Sequence, residues 1–146
     1  TNYLITKGNK TMAKIARTPY NAARWLTQNI SADAQISKGL TGYCLFITAD
    51  TASIDLTVNY SDKGSYMKII LTDDSSHNVN LILPAMEGVA IYEDSNGVGI
   101  LSVGDNNETT LTLPSTATGG SYIDLICDGD KWYVQAMTHG VAWTQS

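Results

Sequence analysis

Punctuation constrains this chain more than any other feature. From Asp33 onward, turn-forming clusters recur at short intervals: Asp62-Lys63-Gly64, Asp73-Asp74-Ser75-Ser76, Asp94-Ser95-Asn96-Gly97, Gly104-Asp105-Asn106-Asn107 and Asp128-Gly129-Asp130. Glycine reaches positive φ without a steric penalty, and Asp, Asn and Ser side chains hydrogen-bond nearby backbone, so each cluster reverses the chain. Ile54, Leu56 and Val58 alternate with Asp55, Thr57 and Asn59, the period-2 signature of a half-buried strand. Further strands are predicted over residues 43–49, 66–72, 79–83, 89–93, 98–103, 109–113, 121–127 and 131–137. Short strands at near-regular spacing predict an all-β fold, an antiparallel β-sandwich or jelly-roll-like barrel. No helical pattern separates them, which argues against a parallel α/β sheet. Alternation puts Ile54, Leu56, Val58, Leu81, Leu83, Ile91, Leu111, Leu113, Ile123, Leu125 and Trp132 in the core.

The first 32 residues read differently. Thr18 suits an N-cap and Pro19 the first helical position, so a short helix is expected over about residues 19–28, docked through Trp25 and Leu26. The expected organisation is a basic arm, residues 1–32, followed by a β-domain, residues 33–146; 146 residues suit one domain better than two.

Charge divides at the same place. Lys7, Lys10, Lys14, Arg17 and Arg24 precede the first acidic residue, Asp33, giving the arm a charge of +5. The remainder carries 4 basic and 14 acidic residues, a charge of −10. Halves of opposite sign attract each other, within one copy or between copies, and a basic arm also suits nucleic acid. An arm seated on protein is the expectation. Cys44 and Cys127 lie in apolar runs, which predicts two free core thiols and an intracellular site of synthesis. No stretch approaches the roughly 20 apolar residues of a membrane span, and the N-terminus has no continuous apolar core of a secretory signal.

A weak repeat follows. Leu83-Pro84 leads through Gly88 and Ile91 to a turn at Gly97, and Leu113-Pro114 leads through Gly119-Gly120 and Ile123 to Asp128-Gly129. Proline cannot extend a central ladder, so each strand ends at Leu-Pro. The second unit closes on Tyr122-Ile123-Asp124-Leu125-Ile126-Cys127-Asp128-Gly129-Asp130-Lys131-Trp132-Tyr133-Val134. A tight turn at Asp128-Gly129-Asp130 would pair the flanking strands, with Trp132 and Val134 on one face and Tyr133 on the other. Over residues 79–137 this pattern resembles tailed-phage virion proteins: capsid decoration (cement) proteins, head fibres and tail-fibre modules. There a strand ending in Leu-Pro-Ala, here Leu83-Pro84-Ala85, is followed by an Asp-x-x-Gly hairpin and an Asp-Gly-x-x-Trp-Tyr-Val close. The resemblance implies a structural role in a virion. Residues 19–28 fall outside it.

Chemistry-bearing motifs are sparse. Nucleophile-elbow, zinc-protease, phosphate-loop and dinucleotide patterns are absent from the sequence. His77 and His139 have no nucleophile beside them in sequence, and no catalytic residue is assigned. Asp94-x-Asn96-Gly97 resembles the start of a calcium loop but lacks the later bidentate glutamate. Asp73-Asp74 and Asp128-Gly129-Asp130 offer oxygens that turns usually leave to solvent, so neither a metal nor a cofactor is expected. Trp132, Tyr133 and Trp143 are candidate aromatics for a subunit interface or a glycan platform.

The resulting expectation is a capsid decoration (cement) protein on the outer surface of an icosahedral shell, a homotrimer seated at its symmetry points and bridging capsomers. Its partners would be the major capsid protein of the same virus and further copies of itself, without membrane or nucleic acid. Lys7, Lys10, Lys14, Arg17 and Arg24, with Trp25 as apolar anchor, would attach it. The alternative is a fibre module that binds a host surface glycan.

Overall fold

The computed structural model describes residues 25–146. They form two packed β-sheets. One has seven strands: β1 (Leu26–Ile30), β3 (Tyr43–Ile47), β5 (Tyr66–Leu71), β10 (Tyr122–Cys127), β11 (Trp132–His139), β7 (Met86–Asp94) and β8 (Gly97–Val103), in that spatial order. The other has five, in the order β12 (Thr144–Gln145), β9 (Thr110–Leu113), β6 (Val79–Ile82), β4 (Ile54–Thr57) and β2 (Ala34–Gln35). A 3-10 turn at Lys38–Leu40 is the helical element among the described residues.

The expected sandwich forms, and every predicted strand is present to within a few residues at its ends. Strand direction departs from the expectation. Five of the ten pairings are parallel: β1 with β3, β3 with β5, β11 with β7, β2 with β4, and β4 with β6. The cause is the path of the chain. From β1 to β7 each strand lies in the opposite sheet from the one before it. Parallel neighbours need a long crossover, and here a strand of the other sheet serves as that crossover.

The helix expected over residues 19–28 does not reach Gln28. Residues 19–24 lie outside the described residues, and Leu26–Ile30 is β1, paired with β3 from Leu26 opposite Tyr43 to Ile30 opposite Ile47. Cap and proline signals are local, and ladder hydrogen bonds with residues far along the chain override them. The β-domain therefore begins before residue 33.

The repeat corresponds to a structural unit. β6 and β9 are antiparallel neighbours in the five-stranded sheet. Each ends at Leu-Pro, crosses to the seven-stranded sheet and continues as a hairpin, β7–β8 or β10–β11. The Asp128 turn forms as expected. Asp128 accepts hydrogen bonds from the backbone N–H groups of Asp130 (2.8 Å) and Lys131 (2.9 Å), and Gly129 adopts φ +98°.

The core fills the space between the sheets. Ten of the eleven residues assigned to it from sequence are buried. The exception is Ile91, which is half-buried: Met86 and Ala90 take the inward positions of β7, and alternation turns Ile91 outward. Trp132 is completely buried. Its ring meets Tyr60 edge-on at 5.6 Å, and its indole N–H donates to the Tyr60 carbonyl at 2.9 Å. Both cysteines are free and buried, Cys127 in the core and Cys44 outside the core cluster.

Gly88 allows β7 and β11 to pair. It stands opposite Val134 in the ladder with φ +151°, and a Cβ there would collide with the Val134 carbonyl oxygen. Gly88→Ala is expected to cost on the order of 1–3 kcal/mol, as positive-φ strain and overpacking do. A fall in the urea midpoint at unchanged slope would show it; an unchanged midpoint would contradict this packing.

Candidate functional site

The two outer faces of the sandwich have opposite character. On the five-stranded sheet Asp55, Asn80 and Thr112 stand in one cross-strand row. Asn80 donates to Asp55 (2.8 Å) and accepts from Thr112 (2.8 Å). Such a polar face is satisfied against water.

The outer face of the seven-stranded sheet carries two apolar rows with Gln135, Asp124 and Lys68 in the row between them. Ladder registers place Ile100, Ile91, Met137, Tyr122, Ile70 and Phe46 in one row that crosses six adjacent strands. A second row joins Tyr133, Ile126 and Tyr66. Exposure is highest towards the β8 edge and the hairpin end, 73% for Val98, 65% for Ile100 and 53% for Ile126, while Ile91, Tyr122, Ile70 and Phe46 are half-buried. Sheets exposed on one side normally carry polar residues there, and a contiguous apolar patch on a folded domain marks an interaction site.

Charge on this face is paired locally. Lys68 lies 3.2 Å from its cross-strand partner Asp124 and 4.3 Å from the centroid of the Tyr122 ring. Lys131 meets Glu87 at 2.7 Å, and that hydrogen bond raises the lysine's pKa. His139 lies 3.2 Å from Glu93. At the hairpin end, the Lys131 and Asp130 backbone N–H groups hold the Asp128 carboxyl below its ordinary pKa. Tyr133 donates its hydroxyl to that carboxylate at 3.1 Å, which pushes the phenol pKa up. At the opposite end a hollow of about 450 Å³ opens among Ile91, Val98, Tyr122, Met137 and the Thr118–Ser121 loop, with Glu93 and His139 beside it.

The residues singled out from sequence are distributed unevenly about this face. Lys7, Lys10, Lys14, Arg17 and Arg24 lie outside the described residues. Trp25 is half-exposed just before β1, its ring edge-on to Tyr66 at 6.3 Å. Tyr133 belongs to the face. Trp132 and Trp143 do not, so these three aromatics form no common platform. Both indoles are buried, and each N–H is committed to a backbone carbonyl, Trp143 to Ile91 at 2.9 Å. Large aromatics with one polar atom fit a core when that atom finds an acceptor.

The turn carboxylates are engaged by the turns themselves. Asp94 accepts from the Asn96 N–H, Asp73 from the Asp74 N–H, and Asp74 from the Gly119 N–H. Among the described residues no group of three or more His, Cys, Asp and Glu side chains could hold a metal ion. No helix there is long and apolar enough to cross a membrane.

Sequence reasoning missed most of the face: Tyr66, Ile70, Val98, Ile100, Tyr122, Ile126 and Met137. A signal was present. Tyr66–Leu71 and Tyr122–Cys127 are nearly continuous apolar runs, and a strand of that kind expects cover on both sides. No family model, curated protein or solved structure matches the chain.

Proposed function

We propose that the chain is a non-enzymatic virion protein, a decoration or cement protein that binds the outer surface of an icosahedral shell and bridges its capsomers. The observation that carries this reading is the broad apolar face on a sandwich whose opposite face is polar, which suits a protein that docks on protein. Two sequence features support it. Residues 79–137 resemble tailed-phage virion proteins, and the basic segment from Lys7 to Arg24 leads directly into Trp25 at the margin of the apolar face. Its partners are the major capsid protein and other copies of itself, assembled as a trimer, without cofactor, membrane or nucleic acid.

The work is mechanical. A clamp that binds only the assembled shell stabilises that state by mass action. Several linked copies raise occupancy through effective concentration. The fibre-module alternative loses two of its three candidate aromatics to the core, which leaves Tyr133 alone from that set.

The test is a cryo-electron microscopy reconstruction of shells of the cognate virus, prepared without this protein and then incubated with it. Density at fixed symmetry positions on the outer surface is the expected result. Undecorated shells, with the protein instead on tail or head fibres of complete virions, would refute the cement reading.

A further inference from the structure

We infer that the outer face of the seven-stranded sheet is the surface through which copies of this chain associate with one another. The inference deepens the self-assembly in the proposed function and rests on it.

Three observations point to a second copy as the occupant. The first is charge. Residues 33–146 carry −10, so most of the surface of one copy repels the same surface of another. Across the middle of this face the charges are paired in place, Lys68 with Asp124 and Lys131 with Glu87, while Glu93 beside His139 and Asp128 beside Tyr133 leave negative charge at its two ends. Two copies can therefore approach across the middle of the face without desolvating an unpaired charge there. A basic partner would gain nothing from this paired middle and would be drawn instead to the acidic turns.

The second is size. Seven strands about 4.8 Å apart, rising about 3.3 Å per residue, present roughly 600–700 Å². That approaches the roughly 800 Å² per partner that a standard interface buries. The third is shape. Ile126, Tyr66 and Tyr133 are exposed at one end of the face, and a 450 Å³ hollow lined by Ile91, Val98, Tyr122 and Met137, with Glu93 and His139, opens at the other. One molecule therefore carries exposed apolar side chains at one end and a recess at the other, which identical copies can engage reciprocally about a two-fold axis or in sequence around a ring.

Sedimentation equilibrium of the full chain tests this across about 1–100 μM, a range that includes the weaker associations of standard-size interfaces. Wild-type protein is expected to sediment at a multiple of 15.7 kDa. The double variant Ile100→Lys with Ile126→Lys, whose side chains point away from the core, is expected to sediment at 15.7 kDa with an unchanged far-ultraviolet spectrum. Should that variant misfold, maleimide labelling of Gln135→Cys, at the centre of the face, supplies the answer. Labelling is expected to slow several-fold as protein concentration rises.

A wild-type monomer throughout the range would overturn both the inference and the self-assembly it rests on. An oligomer that survives in the folded double variant, or labelling that is independent of concentration, would overturn the face alone. Protection of Gln135→Cys only after shells are added would assign the face to the capsid protein and overturn the inference equally.

Discussion

Trp132→Ala is expected to destabilise the domain by about 3–5 kcal/mol, the range for truncating a large buried aromatic. Trp132 is fully buried and touches Tyr60 edge-on, so its removal leaves a cavity that a two-sheet core cannot close. It also orphans the Tyr60 carbonyl that now accepts the indole N–H, and an unsatisfied buried acceptor costs about 1–3 kcal/mol. Against a typical total of about 5–15 kcal/mol, such a loss leaves a large fraction unfolded at physiological temperature. Trp132→Phe should cost less, because it keeps most of the volume and loses the hydrogen bond. Leu125→Ala, inward on the adjacent strand, should cost about 2–5 kcal/mol. Denaturant titration followed by circular dichroism measures all three. A Leu125→Ala variant as stable as wild type would mean that the register of β10 is wrong.

Removing residues 1–17 is expected to abolish shell binding while leaving the sandwich folded. Among the described residues the buried core begins at Ile30, and the sandwich is expected to hold without the arm. If the basic arm anchors the protein, replacing Lys7, Lys10, Lys14 and Arg17 together should weaken binding and flatten its dependence on salt, because such contacts are screened over about 8–10 Å near physiological ionic strength. Each exposed pair contributes only about 0–1 kcal/mol, so the loss should be graded per charge and multiplied across the copies of an oligomer. Trp25→Ala should cost more than any single charge, since desolvated aromatic anchors dominate interfaces. Co-sedimentation with shells measures the series. Truncated protein that still decorates at full occupancy would move attachment onto the β-domain.

The fold was legible wherever alternation met a turn cluster. Ile54–Thr57 with its inward Ile54 and Leu56, and the Cys127–Trp132 hairpin, follow from period 2 and turn chemistry alone. Strand direction was not legible, because a polar turn cluster looks the same whether the chain returns to its own sheet or crosses to the facing one. β1 was missed for a different reason. Four of its five residues are exposed, so burial imposes no pattern on Leu26–Asn29, and helix-start signals just upstream dominated the reading.

The candidate site was less legible than the fold. Trp132, Tyr133 and Trp143 drew attention as aromatics, yet sequence does not say which indole will find a buried carbonyl. Ile126 and Met137 drew none, because an apolar residue in a strand is assigned to the core by default. Their exposure follows from a count of faces: Leu125 and Ala136 already occupy the inward positions beside them.

The alternation of the chain between the two sheets has a mechanical consequence. Of the eleven connections between successive strands, only β7–β8 and β10–β11 stay within one sheet, so nine carry backbone from one layer to the other. In a sandwich built from hairpins, a load that pulls the layers apart is resisted mainly by packed side chains. Here the same load passes along covalent backbone at nine places around the rim. One layer cannot be lifted from the other by unpacking the core alone; the ladders within each sheet must be torn as well. A body stitched in this way suits a task in which force arrives on one broad face.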